Sequence, residues 1–504
     1  MASLNSIFSI FLKKRVKQIE FFKKHPVEVQ EKWLIKLISS AKNSSWGKEY
    51  GLSSITTSLQ FKERVPLNDY ESLKPYINRI RGGEKNVTWP TDIQWFAKSS
   101  GTTNDRSKYI PISKESLYEC HFKGGKDMLA LYFQNYPDSR LFNGKAIGLG
   151  GSLTSFKVND KIYFDGDLSA ILIQNLPFWI EYTRVPDKSI ALMGEWESKI
   201  EKMALATINS NITSISGVPS WTLLLLKKIL DKTGKSNILD VWPGLEVFFH
   251  GGVKFNPYKN QFTNLIPSDK MVYMETYNAT EGFFGIQDQI ESDEMLLMLD
   301  YGIYYEFLPI DQLEKDNPKT VSLSEVEKNV NYAMVISTNT GLWRYLIGDT
   351  VSFTSLDPFR IQITGRTKNF INAVGEELIV DNAEKALTHA CKKCNAQITE
   401  YTAAPIYFSG KESAAHEWLI EFEKKPDDMA YFAEVFDNIL RSVNSDYDAK
   451  RYQDMLLRQP VIKEVPQNTF YNWLKKKGKL GGQNKVPRLS NDRKYIDEIC
   501  KSLN

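Results

Sequence analysis

Four short apolar runs, each closing on glycine or hydroxyl residues, constrain the fold of this chain more than any other feature. They are 146–151 (AIGLGG), 212–219 (ITSISGVP), 245–252 (LEVFFHGG) and 270–282 (KMVYMETYNATEG). Runs of this length, rich in Ile, Val, Phe and Tyr and bounded by turn residues, read as buried strands. Helical stretches alternate with them. One is expected over about 114–133 behind Ser113, and another over WTLLLLKKILDKTG with Ser220 as its cap. Such alternation predicts an α/β architecture, at least partly parallel, with ligands gathered at the loops after the strands.

A chain of 504 residues is too long for one ordinary core, so two or three domains are expected. The 64 basic and 61 acidic residues leave a net charge of +3, which gives no whole-protein case for nucleic acid or an anionic membrane as a partner. Four cysteines make no disulfide framework. The pair Cys391 and Cys394 lacks the second pair that a zinc site needs. The first apolar run is short and is followed at once by Lys13, Lys14 and Arg15, unlike a signal peptide, and no 18-residue apolar run occurs. A cytoplasmic protein without membrane contact is the expectation.

Along the chain, residues 1–60 read as helical, and Pro66 and Pro75 bracket a passage, with Tyr70 and Tyr76, that reads as loop-rich. From Glu294 the texture changes to successive antiparallel strands, and beyond Lys368 to a smaller α+β unit ending in a basic, glycine-containing tail. The expected fold is therefore α/β. A large N-terminal domain (1–367) carries mixed and parallel sheets and a β-barrel-like part, and a smaller, mobile α+β domain (368–504) follows.

Chemistry-bearing stretches are individually weak. The stretch 97–111 (AKSSGTTNDRSKYIP) follows an expected strand and packs Ser99, Ser100, Thr102 and Thr103 around Gly101, with Lys108 close behind. Hydroxyls and free backbone N–H groups suit phosphate oxygens, but a solvated Ser/Thr turn has the same composition. It is not a nucleoside triphosphatase loop, because no second glycine precedes a lysine, and 148–151 lacks the third glycine of a dinucleotide fingerprint. Glu281 alone could stabilise a helix N-terminus, Asp349 could be a turn residue, Arg366 a surface ion-pair partner, and Lys485 one more basic residue of the tail.

Order makes them an argument. SSGTT followed by KYIP, YNATEGFFGIQ, WRYLIGD, Gly365-Arg366 and QNKVPR succeed one another from about residue 90 to 490. In that order the chain resembles the adenylate-forming enzymes, and within them the acyl acid amido synthetases that conjugate plant hormones, with their bacterial relatives. The resemblance implies ATP and Mg²⁺ as cofactors, and a small carboxylic acid and an amine, expected to be an amino acid, as substrates. It implies that Ser99, Ser100, Gly101, Thr102 and Thr103 hold ATP's phosphates, with Lys108 either reaching them or bracing the loop. Tyr277 would lie against adenine, Thr280 would touch the α-phosphate, Glu281 would bind Mg²⁺ and Asp349 would accept from the ribose hydroxyls. Arg366 would lie near ribose and phosphate, beside a hinge at about Lys368, and Lys485 would be the mobile lysine that reaches carboxylate and α-phosphate. The loop departs from many relatives in continuing Asn104-Asp105-Arg106, where they place glycine. The acyl pocket aligns with no motif. Tyr118, His121, Phe122, Trp221, His250, Gly251 and Gly252 are its candidates. An acyl-CoA ligase using the same intermediate, or a nucleotide-binding regulator without catalysis, are the alternatives.

Overall fold

In the computed structural model the four apolar runs are strands of one sheet. Described are residues 4–99, 108–252, 255, 258–313, 315–367, 370–371, 373–374, 376, 378–407, 413–444, 447–448, 451, 457–480 and 485–503. The strands in chain order begin with β1 (Trp95–Ser99), β2 (Lys108–Ile112), β3 (Lys145–Gly148), β4 (Leu153–Val158), β5 (Lys161–Gly166), β6 (Arg184–Val185), β7 (Ile212–Gly217), β8 (Val247–Gly251) and β9 (Val272–Ala279). They continue with β10 (Gly282–Ile286), β11 (Met295–Leu297), β12 (Ile303–Pro309), β13 (Val321–Ser322), β14 (Asn331–Thr338), β15 (Tyr345–Leu356) and β16 (Phe359–Arg366).

The long sheet runs β13-β12-β14-β15-β16-β11-β10-β9-β8-β7-β3-β6. Its β6-β3-β7-β8-β9 portion is parallel, and β9 passes to antiparallel pairing through β10 and β11. The antiparallel strands read from the sequence as a barrel-like part are thus the far half of this one sheet. A second sheet, β2-β1-β5-β4, holds the strands that flank the hydroxyl-rich stretch. Compactness divides the chain into Met1–Val253, Leu265–Ile347 and Val351–Gln362 on one hand, and Lys254–Asn264, Gly348–Thr350 and Ile363–Asn504 on the other.

Two local expectations need correction. The passage around Pro75 is a helix, Tyr70–Arg81. Asp69 accepts from the Ser72 N–H while the Ser72 hydroxyl accepts from the Asp69 N–H, a full capping box. Tyr70, Leu73, Ile77 and Ile80 are buried at helical spacing, which offsets the backbone hydrogen bond that proline cannot donate. The helix after β7 begins at Pro219, so Ser220 lies inside its first turn rather than capping it. Proline is preorganised for that first helical position.

In the WRYLIGD stretch, Arg344 serves packing. It is buried against Glu306 at 2.9 Å and donates to the carbonyls of Lys62 and Val65. Its carboxylate and carbonyl partners satisfy a charge that burial would otherwise make costly.

In the second unit β17 (Phe370–Ile371) pairs with β18 (Leu378–Ile379), and β19 (Gln397–Ile406) and β21 (Val461–Val465) flank β20 (Ala415–Lys424). Alternation along β20 sends Trp418, Ile420 and Phe422 into a core with the helices Val380–Lys393 and Met429–Val443. Leu419 faces Phe470, Trp473, Ile496 and Ile499 of the last two helices. Period-two side chains thus give the small unit two cores, one on each face.

Candidate active site

Strands β3, β7, β8 and β9 are parallel neighbours, so their carboxyl ends, Gly148, Gly217, Gly251 and Ala279, share one edge of the sheet. This is the edge at which open α/β sheets bind ligands. A side chain at Gly251 would collide with the Thr276 carbonyl, and Gly252 has φ +83°. Close approach and left-handed backbone therefore both require the His250-Gly251-Gly252 turn to lack side chains after His250. Burial pulls the His250 imidazole down to about 3, so it is neutral.

Between β9 and β10 the chain reverses through Thr280 and Glu281, with Ala279 opposite Gly282. Both turn residues are buried, and the Thr280 hydroxyl donates to Glu281 Oε2 at 2.6 Å. Tyr277 is buried with its ring edge-on to Phe284 at 4.9 Å.

The helix after Ser113 contains one wider, π-helical turn, Ser116–His121, before Phe122–Asn135. Such turns interrupt the regular spacing of side chains and recur at functional sites. Here the turn brings Cys120 Sγ to accept the Phe283 N–H, and His121 Nδ1 to 3.2 Å from Asn278 Oδ1. Burial lowers the His121 pKa to about 4, against the opposing Asn278 contact, so this imidazole is neutral too. Phe122 is half-buried, and Tyr118 is exposed with its ring edge-on to Phe122 at 5.5 Å. Trp221 is buried against Trp196 at 4.7 Å.

Of the hydroxyl-rich stretch, Ser99 ends β1 directly opposite Lys108 of β2. Ser100, Gly101, Thr102 and Thr103 lie outside the described residues. The base of this hairpin is braced by the helix Tyr70–Arg81. Tyr109 donates its N–H to the Tyr70 hydroxyl at 2.9 Å, and Lys108 Nζ lies 5.7 Å from the Tyr70 ring centre. Arg81 sits 3.8 Å over the Tyr109 ring and binds Asp165.

The second unit holds the other candidates. Asp349 Oδ1 meets Arg366 Nε at 2.9 Å. Gly348, at φ +89°, accepts the Thr367 N–H, and Thr364 donates to Thr350, so strands β15 and β16 hold this pair in register. The Lys485 side chain keeps contact with solvent, yet its ammonium is pushed down to about 8. Lost hydration acts first and the Arg366 charge second, with Asp349 opposing.

Sequence reading missed Lys199, which is fully buried. Its signal was present. Trp196, Ile200, Met203 and Ala204 form an apolar helical stripe, and Lys199 stands inside it. The contact of Asn278 with His121, 157 residues apart, had no such signal.

Among the described residues no group of three His, Cys, Asp or Glu side chains could hold a metal ion. A single carboxylate suffices for Mg²⁺, which keeps several waters and shares substrate phosphates, so Glu281 at its tight turn fits that ion. No helix among the described residues is long and apolar enough to cross a membrane.

This fold recurs in solved structures of ligases. GH3.15 acyl acid amido synthetase shares it with a TM-score of 0.79 at 16% identity, over 97% of this chain and 95% of that one. A 2-hydroxyisobutyryl-CoA ligase in its postadenylation state shares it at 0.58 and 12%, over 94% and 91%. The chain belongs to the GH3 family, whose N-terminal domain matches residues 15–271, central domain 296–366 and C-terminal domain 381–494. Indole-3-acetic acid-amido synthetase GH3.3 of Arabidopsis thaliana is 23% identical over 95% of this chain and 90% of its own length. Jasmonoyl-L-amino acid synthetase JAR4 of Nicotiana attenuata is 23% identical over 67% and 68%. The resemblance to acyl acid amido synthetases and the α/β fold class with a smaller second domain are thereby borne out.

Proposed function

We propose that this chain is an ATP- and Mg²⁺-dependent acyl acid amido synthetase that joins a small carboxylic acid to an amine, an amino acid being the amine of choice. Membership of the GH3 family along nearly the whole chain is the observation that carries the reading. Residues 1–367 form the adenylating domain and 368–504 the small domain. Four free thiols, Cys120, Cys391, Cys394 and Cys500, agree with a reducing cytoplasmic setting.

In the first half-reaction a carboxylate oxygen attacks the α-phosphorus of ATP. The new acyl–oxygen–phosphorus link forms as the bond to the β-phosphate breaks, and pyrophosphate leaves. Charge builds on phosphate oxygens, so fixed donors and cations stabilise this step. Ser99 to Thr103 and Lys108 bind the phosphates, Tyr277 lies against adenine and Thr280 touches the α-phosphate. Glu281 holds Mg²⁺, which neutralises polyphosphate charge when bound. Asp349, oriented by Arg366, accepts from the ribose hydroxyls, and Lys485 supplies a positive charge to carboxylate and α-phosphate. In the second half-reaction the amine nitrogen attacks the acyl carbon, the C–N bond forms, AMP departs with the ester oxygen, and the amine proton passes to solvent. Tyr118, His121, Phe122, Trp221, His250, Gly251 and Gly252 line the acid's place. The two histidines stay neutral there and leave the acid's charge to Lys485.

Acid-dependent exchange of pyrophosphate into ATP, screened over a carboxylic acid library, tests the first half. Product masses with amino acids or with coenzyme A then test the second. An acyl-amino acid is expected. A thioester without any amide would replace this reading by an acyl-CoA ligase, and no exchange with any acid would leave a nucleotide-binding protein.

A further inference from the structure

Lys199 is a buried cation that the chemistry above does not use. It stands on the helix Trp196–Thr207 with none of its surface exposed. Its Nζ donates to the Gly150 carbonyl at 2.5 Å, the Gly151 carbonyl at 2.9 Å and the Met193 carbonyl at 3.3 Å. The charge that registers on it is that of Asp167, whose own Oδ2 accepts the Ser152 N–H at 2.7 Å. An ammonium buried on neutral carbonyls is expensive, and a methionine would fill the same stripe without that cost.

What the cation holds is the loop at the carboxyl end of β3. Leu149 donates its N–H to the Ser216 carbonyl, and Gly151 donates to Ser169 Oγ at 2.9 Å. A side chain at Gly150 would lie 2.6 Å from Ile173, and one at Gly151 would strike Asp167. Both glycines are therefore needed by the loop's own packing. Gly148 is different. An added Cβ there meets nothing within 4 Å among the described residues, and its φ is not positive. No contact within the described protein accounts for glycine at this position, the last of β3 and so at the ligand-binding edge. Lys199 also lies 5.6 Å from the centre of the Trp196 ring, which packs on the acid candidate Trp221.

We propose that Lys199 is a positioning residue for the acid substrate. Its ammonium fixes the Leu149–Gly151 loop, so that Gly148 and the Trp196–Trp221 pair bound the space left for the acyl group. The inference rests on the amido synthetase reading and adds to it the residues that set acid size. Positioning errors of about 1 Å cost up to ~100-fold in rate or affinity, so the loop need not unravel to matter.

Pyrophosphate exchange over a series of acids of increasing bulk tests it, with the KM for acid and for ATP measured separately. Lys199→Met is expected to raise the acid KM about tenfold or more while the ATP KM stays within about twofold. Ser169→Ala, which removes another of the loop's anchors, shifts the same constant in the same direction by less. Gly148→Val turns the preference toward smaller acids. Should Lys199→Met fail to fold, the Ser169 and Gly148 variants decide. Unchanged acid KM and unchanged size ranking in the folded variants would overturn the proposal, as would acid and ATP KM rising together. Exchange absent from the wild type with every acid would overturn the activity itself, and this inference with it.

Discussion

Lys199 and Lys485 are both held near 8 by lost hydration, yet their surroundings are opposite. Lys199 is locked on a helix with three carbonyls on one nitrogen. Lys485 sits at the surface of the small unit, and its charge answers to Arg366 and Asp349. A lysine saturated by backbone oxygens has no donor left for a substrate and acts through the shape it fixes. A lysine whose neighbours are charged side chains at a surface can deliver its charge to a reactant. A depressed ammonium alone does not tell these roles apart, and the partner atoms do.

The largest expected effect breaks the comparison from the Lys485 side. Lys485→Ala should lower the rate of acyl-adenylate formation by about 10²–10³-fold, the usual cost of losing a group that meets developing charge. ATP binding, followed by calorimetry, should stay nearly intact. Adenylate formation at the wild-type rate would remove Lys485 from the chemistry and leave it as solvated as the rest of the tail. Next in size, Glu281→Gln should slow the same step by about 10²-fold and raise the Mg²⁺ concentration needed for half-maximal rate. An unchanged Mg²⁺ titration would place the ion elsewhere.

Acidity sharpens the contrast further. With its pKa lowered to about 8, Lys485 loses its proton as the pH rises through that value. Adenylation should therefore fall above about pH 8, and Lys485→Arg should move the fall to higher pH. A profile that is flat to pH 10 in the wild type would contradict the role.

A stability prediction concerns the buried pair Glu376 and His416, 2.6 Å apart in the small unit. Burial works to raise the Glu376 pKa. The His416 contact and the Ala373 and Val374 N–H groups outweigh it, and the net shift is downward from 4.5. A carboxyl lowered on folding stabilises above its unfolded pKa, and that contribution disappears as the pH falls through the folded value. Glu376→Gln should cost about 1–3 kcal/mol near neutral pH and less below pH 4, checked by denaturant titration at both values. The smallest effect concerns the hairpin brace. Tyr70→Phe deprives the Tyr109 N–H of its acceptor, a loss of about 1 kcal/mol. The ATP KM should rise about fivefold with the acid KM unchanged. Equal movement of both constants would mean that the brace serves the fold and not the hydroxyl-rich hairpin.

Much of the architecture was legible because its causes are local. Apolar runs with turn residues after them mark β3, β7, β8 and β9, and the period-two alternation of β20 needs no distant partner to be recognised. The order of SSGTT, YNATEG, WRYLIGD and QNKVPR likewise identified the family without any coordinates. The helix Tyr70–Arg81 was missed because Pro75 speaks against it locally, while the buried face that overrides proline is a tertiary fact. Trp221 could be nominated from its helix, whereas its packing on Trp196 could not.

Residue type and order, fixed along the chain, therefore settled the α/β class, the family and the turns that close β3, β7, β8 and β9. Only tertiary structure decided which of those groups meet. His121 finds Asn278 across 157 residues, Asp349 finds Arg366 across a strand pair, and Lys199 closes on the carbonyls of Gly150 and Gly151. Such contacts follow from the packing of whole elements and the need to satisfy buried polar groups, and no window of sequence contains both partners.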